Sequence, residues 1–171
     1  MDGTLSEWII ALSRAPEQRA EAAKQLANAK QSVKPAILAL VRAAGDRDDS
    51  TRMWAAEALE TAGAPDPGAV PALIQFLEPS AAQADGESAY WAARILRRLG
   101  PAASAATPAL TAAVKNSPYL AVREEAVAAL GRIGPAAREA SETLSQAAQS
   151  GPPRLARLAM IALESIRGMA A

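Results

Sequence analysis

Three groups of residues in this chain have the types and spacing that chemistry would need. Asp46, Asp48 and Asp49 crowd one loop, and Asp85 and Glu87 stand in the corresponding loop of the next stretch. Together they would make an acidic edge for a cation or a basic partner. Arg94, Arg97 and Arg98 cluster further on, with Arg132 at the register of Arg98. They would make a patch for phosphate or an acidic partner. Trp54 and Trp91 recur at one repeat position and would grip a partner's side chain. Each group also has a plainer reading. A calcium loop needs ligands at alternate positions, a central glycine and a terminal glutamate, and Asp46-Arg-Asp-Asp-Ser lacks that pattern. Solvated loop charges and helix caps are favoured there. Arg94 and Arg98 lie one turn apart and face away from the apolar stripe, which favours a solvated outer face. The tryptophans border that stripe, which favours packing between helices.

Catalytic machinery finds no support. The chain has no cysteine and no histidine, which removes thiolate nucleophiles, disulfides and cysteine or histidine metal sites. It shows no glycine-rich phosphate loop and no serine in a nucleophile-elbow setting. Glu124 and Glu125 are adjacent on a helix and so point about 100° apart rather than into one pocket. No enzyme activity, metal or cofactor is expected. Eighteen basic and eighteen acidic residues cancel, giving no long-range pull towards nucleic acid or an anionic membrane. The N-terminal Met1-Asp-Gly-Thr-Leu-Ser-Glu-Trp lacks the layout of a signal peptide, and no apolar run reaches the ~18–20 residues of a membrane span. The expectation is a soluble, cytoplasmic protein.

The elements that must position these residues repeat. Val122-Arg-Glu-Glu-Ala-Val-Ala-Ala-Leu-Gly-Arg-Ile-Gly134 reads as one amphipathic helix, with Ala126, Ala129, Leu130 and Ile133 on one face and Gly134 as its stop. Copies carry Ala22 and Leu26, Ala55 and Leu59, Ala92 and Leu96, Ala159 and Leu163. The anchor leucines 26, 59, 96, 130 and 163 are spaced 33, 37, 34 and 33 apart, the period of a helical repeat array. From Leu59, Leu96 and Leu130 to Leu73, Leu110 and Leu144 the gap is 14 each time, as a helical hairpin of fixed geometry requires. Half of the residues are hydrophobic but only 4% are aromatic, so thin, alanine-rich helices stack closely. One domain over 1–171 is expected: a capping helix at 4–15 with Thr4 and Glu7 as a capping box and Trp8, Ile9 and Leu12 inward, helix pairs at 16–44, 51–78, 88–115 and 119–149, and a half-repeat at 153–168. Asp49, Ser50 or Thr51 is expected to cap the helix that follows the acidic loop.

Val-Arg-x-x-Ala-x-x-Ala-Leu-x-x-Ile-Gly-Pro at 122–135 and Val-Pro-Ala-Leu-Ile-x-x-Leu at 70–77 resemble the HEAT-repeat family, most closely its short HEAT-like type first described in phycobilisome lyases. The family's first-helix arginine matches Arg52, Arg123 and, by register, Arg19, whereas Ala89 and Ala156 depart from it. The resemblance implies an all-α, right-handed α-solenoid of stacked antiparallel helix pairs. It implies first helices on a convex face and second helices on a concave face, where such proteins bind partners. The outward positions there are Ala36 and Ala39, Ala72 and Gln75, Ala109 and Ala112, Thr143 and Gln146, followed by Arg42, Glu78, Lys115 and Gln149. That surface is small-residue and of mixed charge, which suits a protein or peptide partner. The alternatives it leaves are an accessory subunit such as a bilin lyase-like factor, or a HEAT-like nucleic-acid binder, which would need a basic groove. Leu158, Met160 and Ile161 would leave an apolar side on the last helix, so a monomer or a weak end-to-end dimer is expected.

Overall fold

The computed structural model describes residues 4–30, 32–78 and 86–168, and among them every regular element is helical. The chain divides into two compact units, Met1–Asp66 and Pro67–Ala171. The first holds α1 (Leu5–Ala11), α2 (Pro16–Ala27), α3 (Ile37–Ala43) and α4 (Asp49–Thr61). The second holds α5 (Val70–Leu77), α6 (Gly86–Leu99), α7 (Thr107–Asn116), α8 (Leu120–Ile133), α9 (Ser141–Ser150) and α10 (Pro153–Ile166). The fold is all-α and built of stacked helix pairs, as the periodicity requires.

In the first unit α1 packs on α2, α2 runs along α4, and α3 closes against α4. Thr4 caps α1 with a complete capping box: its hydroxyl accepts from Glu7 N–H, and Glu7 Oε2 accepts from Thr4 N–H at 2.6 Å. Leu12 is buried, while Trp8 and Ile9 are only half-buried and Ile10 is exposed, so α1 turns less of itself inward than the sequence suggests. The cap of α4 is Asp48, one residue before the expected candidates: Asp48 Oδ2 accepts from Thr51 N–H at 2.7 Å and from the Thr51 hydroxyl at 2.8 Å. Thr51 lies fully buried inside the first turn, so it donates into the cap instead of being one.

In the second unit the first helices α6, α8 and α10 pack side by side, and the second helices α5, α7 and α9 form the layer against them. Helix starts and stops follow from local chemistry. Proline occupies the first turn of α5, α7 and α10, where its missing N–H loses nothing. Gly134 ends α8 at φ 73°, a left-handed conformation that a side chain would strain. The turns after α6 and α8 are longer than the Gly-Pro-Ala-Ala phrase indicates. They continue as 3-10 helix over Gly100–Ala106 and Gly134–Ala140, so α9 begins at Ser141. The leucines 26, 59, 96 and 130 and their partners 40, 73, 110 and 144 are all buried to 1% exposure or less.

Gly131 sits in the last turn of α8, and glycine within a helix costs up to about 1 kcal/mol relative to alanine. Its reason is the approach of α10: a Cβ at Gly131 would stand 3.1 Å from both Cα and Cβ of Ala162. Gly131→Leu should force the two helices apart and lower unfolding free energy by about 1–3 kcal/mol, read from urea unfolding. Unchanged stability would show that α8 and α10 do not pack at this distance.

Candidate functional site

The arginines shared with the family resemblance act as caps on the segments before them. The last carbonyls of a helix lack intrahelical donors and carry partial negative charge. Arg52 Nη1 donates to the carbonyls of Asp46 at 2.9 Å and Arg47 at 3.1 Å, just past α3, and its other nitrogen pairs with Asp49. Arg123 Nε donates to Val114 O at 3.0 Å in the last turn of α7. Arg19 donates to Arg14 O at 2.7 Å, beyond α1, and grips Asp46 with contacts of 2.8 and 3.0 Å. Each guanidinium ties a first helix to the chain end that precedes it.

The acidic loop is therefore already occupied. Asp46 takes Arg19 and also accepts from Asp48 N–H at 2.9 Å, Asp48 caps α4, and Asp49 takes Arg52. The Thr51 N–H and hydroxyl, with lesser help from Arg19 and Arg52, hold the Asp48 carboxyl below its ordinary value of 3.8. Of the other two acidic residues, Glu87 is exposed in the first turn of α6 and Asp85 lies outside the described residues. Among the described residues no three acidic groups gather as a metal site would require. The helix-cap reading of this loop holds.

The arginine cluster is not the solvated outer face that its register suggested. Arg94, Arg97 and Arg98 are all half-buried. The Arg94 guanidinium lies 5.3 Å from the Trp91 ring centre and 5.8 Å from that of Tyr90, whose hydroxyl accepts from Nη1 at 2.7 Å. Arg97 Nε is 2.9 Å from Glu125 Oε2, and Arg154 Nε is 3.2 Å from Glu124 Oε2, so the glutamates of α8 tie it to α6 on one side and α10 on the other. Only Arg132 of the four stays exposed. Trp91 follows the packing reading. Trp91 is 4% exposed and meets Tyr90 edge to face at 5.6 Å, while Trp54 is half-buried with Lys24 5.9 Å over its ring. Trp91 is closed to a partner's side chain.

On the second helices of the second unit, Gln75, Ala112 and Gln146 stand two residues after the buried leucines 73, 110 and 144, and all three are exposed. Glu78, Lys115 and Gln149 form the next exposed row along α5, α7 and α9. In the first unit Arg42 holds the first of these registers on α3 and is exposed, with Ala39 half-buried behind it. Two outward assignments fail. Ala36 is fully buried because it precedes Leu40 by four residues and so shares the anchor stripe. Thr143 is 4% exposed because the position directly before the anchor leucine borders the layer beneath; Ala39, Ala72 and Ala109 there are half-buried.

A concavity that the sequence did not disclose lies between α1 and α2. It encloses about 930 Å³ and is lined by Trp8, Ile10 and Ala11 from α1, and by Glu17, Gln18 and Glu21 among others from α2. The one advance signal was a pair of glutamates four apart on α2 beside an aromatic on α1.

Two measurements check this assignment of charges. Arg123→Met should cost about 1–3 kcal/mol in urea unfolding, since the Val114 carbonyl loses a charged donor. An unaffected midpoint would remove the capping role. For Asp48 the folded value is the lower one, so its contribution is complete above pH 3.8 and fades as acid protonates it below that value. Asp48→Ala should therefore melt lower than the wild type at pH 7, with the difference shrinking below pH 3.8. A constant difference through that range would contradict the cap.

Comparison with known proteins agrees with this construction. The profile of HEAT repeats matches residues 5–84 and 77–164. A designed armadillo repeat protein, YIII(Dq.V1)4CPAF in complex with the peptide (KR)4, is similar at TM-score 0.66 and 18% identity, over 95% of this chain and 81% of its own. An engineered protein is similar at TM-score 0.60 and 25% identity, over 96% of this chain and 48% of its own, so this chain spans about half its length. Comparison with curated proteins gives no match. With both profile matches together running from the capping helix to the last helix, the chain belongs to the HEAT-repeat family.

Proposed function

We propose that this protein is a non-catalytic interaction scaffold that binds a peptide or protein segment on the exposed face of its second helices. The observation that carries the reading is the double row on α5, α7 and α9. Gln75, Ala112 and Gln146, then Glu78, Lys115 and Gln149, are exposed, and each helix is fixed by a fully buried leucine. Side chains held on such a layer lose little further freedom when a partner binds. Glutamines offer donors and acceptors to an extended backbone, and Glu78 and Lys115 offer one charge of each sign. The partner chemistry that fits is a polar segment of mixed or low charge. The designed armadillo protein, whose fold is similar, holds a peptide, which supports repeat helices as a binding platform. On the first unit Arg42 holds the register of Gln75.

Nucleic acid fits this face poorly, because its second-helix rows hold one acidic and one basic residue against neutral partners. Among the described residues no helix is long and apolar enough to cross a membrane.

The test is a display selection of peptides against the immobilised protein, followed by titration of the enriched peptides against variants. Gln75→Arg/Gln146→Arg should weaken binding by at least ~10-fold, about 1.4 kcal/mol, without lowering the melting temperature. Equal affinity for wild type and double variant would move the site off the second helices.

A further inference from the structure

The concavity between α1 and α2 and the exposed face of α10 both carry apolar side chains, and their charges are mostly of opposite sign. The first is lined by the apolar Trp8 and Ala11, both half-buried, and Ile10, 55% exposed. The same lining carries three carboxylates, Glu7, Glu17 and Glu21, against one guanidinium, Arg14. Glu7 is committed to the Thr4 cap. Glu17 and Glu21 stand one turn apart on α2, a like-charge pair that weakens a helix. Neither has a cation within ion-pair distance among the described residues. The only bond to either carboxylate there is from Gln25, at 2.6 Å to Glu21.

The face of α10 has the opposite margin. Met160 and Ile161 are 52% and 53% exposed, and Leu158 is half-buried at their edge. Arg157 precedes Met160 and Ile161 by three and four residues, which places it on the same side of the helix. It is exposed and makes no ion pair among the described residues. Arg154 lies one turn earlier with its side chain 72% exposed, and the exposed Glu164 lies two turns later.

We propose that these two surfaces bind each other between copies of this chain: α10 of one copy seats Met160 and Ile161 in the α1–α2 groove of the next, with Arg157 over Glu17 and Glu21. Because the two surfaces differ, each contact is heterologous, one copy offering its groove and the other its α10 face. The apolar area offered is small, which places the association among weak, concentration-driven ones.

Sedimentation of the full chain up to about 1 mM should show average mass rising with concentration and falling again with added salt. Glu17→Arg/Glu21→Arg, which spoils the groove, and Met160→Glu/Ile161→Glu, which spoils the α10 face, should each weaken association by at least ~10-fold. Mixed in equal amounts, the two variants should form a dimer that grows no further, since each contributes its one intact surface. That dimer also shows that both variants are folded. A wild type that stays monomeric throughout, variants that associate as the wild type does, or a mixture that stays monomeric would each overturn the proposal. Association of the wild type with an unrelated basic amphipathic peptide but not with itself would overturn it as well, and would assign the groove to a foreign partner.

Discussion

Everything in this molecule depends on burying a few leucines between helices whose other buried hydrophobic positions are mostly alanine. Eight leucines at paired positions, from 26 and 40 to 130 and 144, are sealed from solvent. Each contributes on the order of 1.5–3 kcal/mol, and the alanines around them are ordered with almost no loss of side-chain entropy. Close approach is the condition for this arrangement. Gly131 exists to let α10 come within contact of α8, and Trp91 supplies bulk where alanines would leave a gap.

Close stacking of slender helices exposes many helix ends, and the charged residues are spent on them. Arg19, Arg52 and Arg123 satisfy carbonyls of preceding segments, Asp48 satisfies an N-terminus, and Glu124 and Glu125 tie neighbouring first helices together. Most of the residues that looked like chemistry are thus engaged in caps, ion pairs and ring contacts, while Glu87 and Arg132 stay exposed. The proposed recognition surface is polar surface that neither packs nor caps, the exposed rows of α5, α7 and α9.

The sequence disclosed whatever is local or periodic. Leucine spacing, the prolines at helix starts, Gly134 at a helix end and the Thr4–Glu7 box all depend on residues within one turn of each other or on a repeated interval. It hid what depends on three-dimensional approach. Asp48 rather than its neighbours became the cap because Thr51 was drawn into the core. Ala36 was misplaced by one turn because α3 is preceded by a 3-10 turn that shifts where the helix begins. The Arg97–Glu125 and Arg154–Glu124 pairs join helices 28 and 30 residues apart in the chain, a separation that no local pattern encodes. The α1–α2 groove arises from how little of α1 faces inward, which its amphipathic pattern overstated.

The division of labour between a packing layer and a recognition layer is most directly tested by mapping where a bound peptide touches. Backbone amide chemical shifts, followed as a peptide selected for binding is added, should move at Gln75, Ala112 and Gln146 and at their neighbours on α5, α7 and α9. Shifts confined to the outer sides of α6, α8 and α10, with the second helices silent, would contradict the assignment of recognition to that layer.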